Sequence, residues 1–495
     1  MQKLYFDKDM AAMLTITYHG IKKNISAYEN QSILSLVRDN FECSFSSCAK
    51  SGKCGKCICY VKKVKSHEIA IEAGTLKVDS KLQDMSDENK IANLGYEKRQ
   101  ACQVIALDNM DVICAFIEDY DEHTSIITLQ GEETFLNEKE EATLNDYIAV
   151  DLGSTTIAMS DGVKSHAFLN PQRCYGADVI SRMEISNQGG AKKIKELTLD
   201  KLKEGLDVLD PEGKKKHVLI AGNTAMVHLL MGHSCEGISA YPFEGAHTES
   251  EVFEAFGRKF VTVPGISAFV GGDIVSGLYY IEHMRQNAPA KGTDIAAANY
   301  LFIDLGTNGE LALRTSEGFL CTSAAAGPAF EGNVTANVPG SDLVHIVAKA
   351  RQNGLIDETG LLCDEYFDEG FKTKEGVLLT QQSIRDLQLA KAAAAYAVDA
   401  LLKRANLNYA ELDAVYIAGG FGYYLKPEDA AIIKLLPDEL AEKIIAVGNT
   451  SLKGALLAAK NDDINGLLDI VKKSKALLLS QADDFGAEYI RQLNF

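Results

Sequence analysis

Four cysteines in the first quarter of the chain have the spacing of a metal site. Cys48, Cys54 and Cys57 are separated by five and then two residues, and Cys102 follows after 44 more. Three thiolates on one short loop and a fourth from a distant segment can ligate the two irons of a [2Fe-2S] cluster. A four-cysteine zinc site is the alternative, but zinc ligands usually come as two close pairs and Cys102 stands alone. The spacing predicts a metal site with these four ligands and favours the iron-sulfur cluster.

Two further cysteines, Cys43 and Cys59, compete for the same role. Cys43 precedes Cys48 by the four-residue spacing of plant-type clusters, but the third ligand of that frame would fall on Ser51. We therefore expect Cys43 and Cys59 to pack beside the loop. Five more cysteines occur singly among apolar or small residues and are predicted to be buried free thiols. They are Cys114, Cys174, Cys235, Cys321 and Cys363.

An acidic turn occurs twice in the remaining chain, each time after a run of apolar residues. The first is Asp151-Leu-Gly153-Ser154 and the second is Asp304-Leu-Gly306-Thr307. Each places a carboxylate and a hydroxyl on a turn whose glycine lets a phosphate approach the backbone. We expect Asp151 and Asp304 to hold Mg²⁺ or orient the attacking water. The residues whose amides would bind phosphate oxygens are Ser154, Thr155, Thr156, Thr307, Asn308 and Gly309.

A third glycine-rich turn follows a later apolar strand and is expected to contact the adenosine of ATP. Its residues are Gly419, Gly420, Phe421 and Gly422. The glycines would let a flat adenosine group lie against the backbone. The chain has no Walker A signature, which disfavours a P-loop nucleotide-binding protein.

The acidic turns belong to a longer internal repeat. The segment 147–159 has an echo in 300–313, and the segment 217–223 has an echo in 414–420, in the same order. The repeat predicts two copies of one α/β unit. Ligands of such sheets bind at the carboxyl ends of the strands, where all four turns would lie.

Composition and charge exclude several classes of function. The chain has 495 residues, of which 46% are hydrophobic, so it has material for several folded domains. A net charge of −19 disfavours nucleic acid as a partner. Without a long apolar run or a signal-peptide pattern, we expect no membrane segment and a cytoplasmic location.

Hydrophobic patterning predicts four regions. A mixed sheet domain is expected over 13–118, with strands at 13–18, 103–107 and 112–117 and a short helix at 33–37. An acidic linker over 119–145 follows, with one short strand at 125–129. Two ATPase lobes are predicted over 146–295 and 296–495, and a long helix over 384–402.

Several single residues have two interpretations. Glu331 is a candidate catalytic carboxylate or a buried structural acid, and Asp273 is either a helix N-cap or a group near the site. His228 and His233 are predicted to be packing or surface histidines. Lys391 is expected on a solvated helix face.

The first domain resembles the ferredoxins with the five-then-two cysteine spacing. That resemblance implies a β-grasp fold, a [2Fe-2S] cluster near the surface and one-electron transfer. The acidic turns resemble those of the superfamily of acetate kinase, sugar kinases, heat-shock ATPases and actin. This second resemblance implies a duplicated α/β actin-like ATPase fold that binds ATP and Mg²⁺.

The order of the two parts resembles the reductive activators of corrinoid proteins. The resemblance covers nearly the whole chain and extends to the blocks 170–182, 264–273, 326–332 and 385–391. It implies ATP-dependent reduction of an inactive Co(II) corrinoid protein to Co(I) in a methyltransferase system. It also implies a low-potential electron donor upstream and a homodimer.

Two other functions fit parts of the pattern. One is an ATP-dependent electron injector for a radical dehydratase or reductase. Such activators resemble the ATPase half but hold a [4Fe-4S] cluster between subunits, which the four-cysteine set argues against. The other is an ATP-gated iron-sulfur sensor, which need not hydrolyse ATP faster when a corrinoid protein is added.

Overall fold

The computed structural model describes residues 10–28, 30–41, 43, 45, 56–64, 76–77, 94–116, 146–287, 299–306, 308–331, 338–374, 376–481 and 485–495. The chain divides into two compact units. The first comprises Met1–Tyr120 and Pro171–Thr198, and the second comprises Asp121–Asn170 and Leu199–Phe495. Among the described helices, none combines the length and the apolar character needed to cross a lipid bilayer.

The first unit contains a six-stranded mixed sheet. Its strands are β1 (Met10–Tyr18), β2 (Ile21–Tyr28), β3 (Ile58–Lys63), β4 (Leu76–Lys77), β5 (Glu97–Gln100) and β6 (Met110–Cys114). Their order across the sheet is β4-β2-β1-β6-β3-β5. Alternate residues of β1, such as Leu14 and Ile16, are fully buried, and the strand predicted at 13–18 is confirmed.

Helix α1 (Ile33–Asn40) confirms the predicted helix and explains why one predicted strand is wrong. The Ser32 side chain caps α1 by accepting a hydrogen bond from the Ser35 amide. The segment 103–107 is not a strand, because a 3₁₀ turn (Ala101–Gln103) is followed by residues that bond to the start of α1. The Ile33 amide donates to the Val104 carbonyl (3.0 Å), which replaces a strand ladder.

The second piece of this unit is helical. It contains α2 (Val179–Ile185) and the start of α3 (Ala191–Leu209). The Arg38 guanidinium of α1 lies over the Tyr175 ring, 4.6 Å from its centre. The Cys43 and Cys174 thiols share a hydrogen bond, so Cys43 packs within the unit, while the loop beside which it was expected lies outside the described residues.

The second unit contains two six-stranded sheets that share the order of five strands and differ in the sixth, which lies at one edge of the first sheet and at the opposite edge of the second. The first holds β7 (Tyr147–Leu152), β8 (Thr156–Ser160), β9 (Ser165–Leu169), β10 (His217–Gly222), β11 (Val252–Ala255) and β12 (Arg258–Thr262). The second holds β13 (Tyr300–Leu305), β14 (Gly309–Thr315), β15 (Gly318–Ala324), β18 (Ala414–Ala418), β19 (Ile444–Gly448) and β20 (Ser474–Ala476). The hairpin β16 (Phe371–Lys372) and β17 (Leu378–Leu379) stands apart.

The duplication predicted from the sequence is confirmed by strand order. The first sheet runs β11-β12-β10-β7-β8-β9 and the second runs β19-β18-β13-β14-β15-β20. In each copy three antiparallel strands are followed by a fourth that pairs in parallel with the first. The two sequence echoes therefore correspond to β7–β8 against β13–β14 and to β10 against β18.

Helices cover these sheets. They are α4 (Thr224–Met231), α5 (Glu236–Ser239), α6 (Gly272–Asn287), α7 (Gly340–Gln352), α8 (Gln381–Ala405), α9 (Gly419–Tyr424), α10 (Pro427–Ile432), α11 (Asp438–Ala441), α12 (Thr450–Asn461), α13 (Ile464–Lys472) and α14 (Phe485–Arg491). Helix α8 confirms the long helix predicted over 384–402. One buried cluster joins residues of both sheets with α6 and α12.

The prediction of a solvated Lys391 is wrong. Its side chain is fully buried, and its ammonium donates to the carbonyl of Asn494. Burial, with the charge of Lys434, lowers the pKa of Lys391 to about 7. The polar end of this buried side chain is satisfied by the Asn494 carbonyl and lies 5.8 Å from the centre of the Phe495 ring.

Candidate functional site

The two acidic turns lie at the carboxyl ends of corresponding strands. Asp151 is the fifth residue of β7 and Asp304 is the fifth residue of β13. Each of these strands is central in its sheet, between a parallel and an antiparallel neighbour. The repeat therefore places one carboxylate at the same point of each half.

Asp151 is held by the start of a helix from the other half. The Asn449 side-chain amide donates to Asp151 Oδ2 (2.9 Å), and the Ser451 hydroxyl donates to Oδ1 (2.8 Å). Asn449 also caps α12 by accepting from the Leu452 amide. Desolvation raises the pKa of Asp151, and these two hydrogen bonds oppose the shift. Strand β7 and helix α12 thus meet at this carboxylate.

Two further carboxyls join Asp304. Glu310 on β14 lies directly opposite Asp304 in the strand pairing, and Asp273 lies in the first turn of α6. Desolvation and the Asp151 charge raise the pKa of Asp304 to about 7. Desolvation and the charges of Asp304 and Asp151 raise the pKa of Asp273 to about 7, and desolvation with the charges of Asp273 and Asp304 raises the pKa of Glu310.

This set of oxygens has the chemistry of a magnesium site. The charges of Asp151, Asp273 and Asp304 each raise the pKa of a neighbouring carboxyl, and such a group is stabilised in its ionised form when a hard cation is present. Carboxylate oxygens are the protein ligands that Mg²⁺ prefers. The residues that could hold the ion are Asp151, Asp273, Asp304 and Glu310. Asp273 is not the N-cap, because it lies inside the first turn of α6 and its carboxylate accepts from the adjacent Ile274 amide (2.8 Å).

Glycines and one asparagine shape the turns around these carboxyls. A Cβ on Gly153 would lie 2.5 Å from the Thr156 carbonyl oxygen, so the first turn requires glycine. The Asn170 side chain donates to the Gly153 carbonyl (2.8 Å), and its amide donates to the Thr155 carbonyl (2.9 Å). Asn170, the first residue of a block noted in the sequence, therefore fixes the segment expected to bind phosphate.

The third glycine-rich turn adjoins the second acidic turn. Gly419 begins α9 with φ +76°, and a Cβ there would lie 3.1 Å from Asp304 Oδ1. Gly420, Phe421 and Gly422 continue the same short helix. The Phe421 ring packs against the Phe330 ring (4.7 Å), which brings the 326–332 block to α9. The structure thus places α9 beside Asp304.

Some predicted site residues lie outside the described residues. They are Thr307, Cys48 and Cys54. Glu331 ends the 3₁₀ turn Pro328–Glu331, and its backbone alone is described. Gly306 and Asn308 flank the second turn, where the Gly306 amide donates to the Asn308 carbonyl (2.9 Å).

Sequence reasoning missed three residues of the acidic site. They are Glu310, Asn449 and Ser451. Glu310 lies within the second echo, but its register opposite Asp304 is visible only in the sheet. Asn449 could have been found from the sequence, because the same Gly-Asn-Thr triplet occurs at the end of β10 and at the end of β19.

The first unit brings together the two predicted metal ligands that are described. Cys57 precedes β3 and Cys102 lies in the 3₁₀ turn after β5. The Ala101 amide donates to the Cys57 carbonyl (2.8 Å), which extends the pairing of these strands. Both thiols are buried, and the Gln103 side chain donates to Cys102 Sγ (3.6 Å). The donor set fits a sulfur-ligated metal.

Two other cysteines lie close by. Cys59 and Cys114 are cross-strand partners on β3 and β6. Burial, with the charges of Cys57 and Cys102, raises the pKa of Cys59 to about 12. Cys59 is therefore a buried neutral thiol within β3.

A duplicated sheet of this order, with acidic turns at corresponding strand ends, defines the class of acetate kinase, sugar kinases, heat-shock ATPases and actin. The family model described as the C-terminal domain of RACo, the ASKHA domain, matches residues 298–337 and 333–495. The model of the RACo middle region matches residues 147–286. The chain belongs to this family, the reductive activators of corrinoid proteins, and the family resemblance noted in the sequence is confirmed.

Characterised relatives and a solved structure agree with this assignment. The chain is 26% identical over 443 residues to the corrinoid activation enzyme RamQ of Eubacterium limosum, covering 72% of this chain and 71% of that one. It is 23% identical over 304 residues to the Co(II) methylated amine-specific corrinoid protein reductase of Methanosarcina barkeri, covering 49% and 54%. A solved reductive activator for a corrinoid, iron-sulfur protein shares the fold, with TM-score 0.62 and 21% identity over 98% of each chain.

Proposed function

We propose that this protein is an ATP-dependent reductive activase. It passes an electron through a [2Fe-2S] cluster and returns an inactive Co(II) corrinoid protein of a methyltransferase system to Co(I). The observation that carries the proposal is the convergence of Asp151, Asp273, Asp304 and Glu310 in a chain of this family. The relatives named above act on corrinoid proteins, which supports the choice of partner.

The acidic site is the proposed ATPase centre. Asp304 and Glu310, which face each other across β13 and β14, are the proposed Mg²⁺ ligands, with Asp273 beside them. Bound Mg²⁺ would neutralise charge on the phosphates of ATP. Asp151 is oriented by Asn449 and Ser451, and each of its oxygens keeps a lone pair for a water molecule.

The turns supply the remaining contacts to ATP. Gly153, Ser154, Thr155 and Thr156 on one side, and Gly306, Thr307, Asn308 and Gly309 on the other, are proposed to bind phosphate oxygens through backbone amides. The segment Gly419, Gly420, Phe421 and Gly422 is proposed to contact the adenosine. Glu331 is proposed as a further catalytic carboxylate.

The first unit is the proposed electron carrier. Its mixed sheet with α1 packed against it is interpreted as a ferredoxin-like β-grasp domain. Cys57 and Cys102, which the structure brings together, are proposed to ligate the cluster with Cys48 and Cys54. The bound cluster would accept one electron from a low-potential donor and release it to the corrinoid partner. Gln103 donates to Cys102 Sγ and thereby stabilises the sulfur as an anion.

ATP is needed because reduction of Co(II) to Co(I) in a corrinoid is steeply uphill from ordinary cellular reductants. A complex that removes an axial ligand of cobalt makes reduction easier, and binding energy supplies the difference. ATP hydrolysis at the acidic site would then separate the two proteins and make the cycle directional. A homodimer and a cytoplasmic location complete the proposal.

The test compares nucleotides in multiple-turnover reduction of a Co(II) corrinoid protein from the same organism. With catalytic amounts of this protein and an excess of reductant, we expect continued Co(I) formation with Mg-ATP. With a non-hydrolysable analogue, we expect at most one turnover for each molecule of activator. Equal multiple turnover with both nucleotides would contradict a role for hydrolysis in the cycle.

A further inference from the structure

A cluster of two histidines and a glutamate lies in the first half of the second unit, apart from the acidic turns. The ligand atoms of His233, His247 and Glu251 lie within 4.8 Å of one another. His233 Nε2 is 2.6 Å from Glu251 Oε1. The His233 and His247 rings stack with centres 4.0 Å apart and planes at 12°. Two imidazole nitrogens and a carboxylate oxygen therefore lie close together, and rotation of the rings out of the stack would turn both nitrogens towards one ion.

A buried third histidine holds the backbone that carries two of these residues. His228 Nδ1 donates to the Ser234 carbonyl (3.1 Å), and the His247 amide donates to His228 Nε2 (2.9 Å). The His233 amide donates to the His228 carbonyl (3.0 Å). Because Nε2 accepts from an amide while Nδ1 donates to a carbonyl, both ring nitrogens of His228 are used within the protein. As predicted, His228 itself is a packing residue and not a ligand.

The backbone of the third residue, Glu251, is fixed by a strand. The Glu251 amide donates to the Thr262 hydroxyl (2.8 Å), and the Thr262 amide donates to the Glu251 carbonyl (2.9 Å). Thr262 is the last residue of β12 and is fully buried. The backbones of the three residues are thus held by hydrogen bonds, and only side-chain rotation is needed to turn their ligand atoms towards one ion.

We propose that His233, His247 and Glu251 bind one divalent transition-metal ion of the zinc class. Three protein ligands, of which two are imidazole nitrogens and one is a carboxylate, leave a fourth tetrahedral position open for water. Imidazole nitrogen suits zinc and its neighbours, whereas Mg²⁺ requires oxygen. This ion is therefore distinct in chemistry from the magnesium proposed at the acidic turns.

Occupancy of this site would reach the neighbouring turn. His247 lines a small cavity with Gly222, Thr224 and Gly272, and Gly272 precedes Asp273. The ion would join the segment that carries His247 to the end of α4 and to Glu251 beside β12. We expect the bound ion to restrict motion of the backbone around His247, next to the residues that precede α6.

The probe is Zn²⁺ alone, applied to the full chain with its cluster loaded under anaerobic equilibrium dialysis. Zinc for each chain is measured by atomic emission, and iron is measured in the same sample. Wild type is expected to bind one zinc more than His247→Ala, whose affinity should fall by about 100-fold or more. His247 is exposed, and the hydrogen bond from its backbone amide to His228 Nε2 does not involve the His247 ring. This variant is therefore expected to fold.

Two further variants decide the outcome. Glu251→Gln should lose the same zinc equivalent, while His283→Ala, a histidine on α6 outside the cluster, should keep it. Zinc should also raise the melting temperature of wild type and of His283→Ala, and not that of His247→Ala. Equal zinc binding by wild type and His247→Ala would overturn the proposal, whatever the cluster cysteines bind, because that comparison leaves the cysteines unchanged.

Discussion

At the scale of single residues, the surroundings of Asp304 decide how the acidic site works. Its carboxylate faces Glu310 across two strands and lies close to the backbone of Gly419. Desolvation and the Asp151 charge keep its pKa near 7 in the absence of a cation. A small displacement of this one group would therefore change both the geometry and the charge of the site.

Substituting Gly419 tests this dependence. Gly419→Ala is expected to lower ATP turnover by at least about tenfold, because its Cβ would lie 3.1 Å from Asp304 Oδ1. Gly354→Ala is the matched control, since Gly354 has a similar φ of +73° but has nothing within 4 Å of an added Cβ. Both changes carry the strain of a left-handed alanine, about 1–2 kcal/mol. Similar turnover in the two variants would contradict the contact with Asp304.

The roles of the cysteines can be distinguished with a similar pair of variants. If the proposed cluster is bound by the four cysteines, Cys102→Ser is expected to lose most of the bound iron and the visible absorbance, because one of the four proposed thiolate ligands is removed. Cys59→Ala should keep both, since Cys59 is a buried neutral thiol. Iron content and absorbance of the two anaerobically purified proteins provide the check. Loss of the cluster from both variants in equal measure would show that the ligand set is wrong.

Individual site residues could be predicted where they belong to a short motif or a recognisable spacing in the sequence. Asp151, Asp304 and the glycines of their turns sit in short repeated motifs, and Cys57 and Cys102 follow a ligand spacing. Glu310 became visible only through strand register, and Asn449 and Ser451 only because α12 meets β7. Likewise, nothing in the spacing of His233 pointed to His247.

At the scale of elements, the close approach of α6 and α12 joins the two sheets of the second unit. A Cβ on Gly277 would lie 2.8 Å from the Phe302 ring, and a Cβ on Gly454 would lie 1.9 Å from the Ser276 carbonyl oxygen. These helices therefore pack backbone to backbone. Their first turns also carry Asp273 and Ser451, so their packing sets the distance between groups of the acidic site.

Filling this contact should destabilise the protein. Gly454→Ala is expected to cost about 1–3 kcal/mol, because the added methyl group must push α6 away. Gly486→Ala is the control, since that glycine lies in α14 with open space around it and alanine favours helix. Calorimetric melting of both variants gives the comparison. An unchanged melting temperature for Gly454→Ala would contradict the close packing.

Elements were predictable where one pattern decides them. Alternation of apolar and polar residues predicted β1, and a long segment with helical patterning predicted α8. The strand expected at 103–107 failed because apolar character alone does not show which backbone groups will pair. There the amide of Ala106 donates to Gln31, next to the cap of α1, and only an isolated bridge between Ser32 and Ile105 forms. Tertiary hydrogen bonds overrode the local preference.

At the scale of the whole molecule, stability should depend on pH and Mg²⁺ together. Asp273 and Asp304 have pKa values of about 7 when folded without a cation, well above their ordinary value. The folded state thus holds more protons than the unfolded state between pH values of about 4 and 7. Stability contributed by these groups is lost as pH rises through that window, because they must ionise beside one another.

Magnesium should offset this loss. We expect Mg²⁺ to raise the melting temperature more at pH 8 than at pH 6, since the ligands are already ionised at the higher pH. In Asp304→Asn, the rise in melting temperature caused by Mg²⁺ should differ less between pH 8 and pH 6 than it does in wild type. Asp207→Asn, an exposed change on α3, should behave as wild type. Scanning calorimetry with and without Mg²⁺ measures it. An equal shift at both pH values in wild type would contradict a cation bound by these carboxyls.

The central claim is that ATP at the acidic site drives reduction of cobalt. Its most direct test is the anaerobic absorbance of a Co(II) corrinoid protein mixed with this protein and a reductant, with or without Mg-ATP. With wild type, the Co(I) band is predicted to grow only when Mg-ATP is present. With Mg-ATP, the band should also grow with Asp207→Asn but should not grow with Asp304→Asn. Equal growth of that band without nucleotide, or none with ATP while the cluster is still reduced, would contradict the account, and the second result would favour a redox sensor.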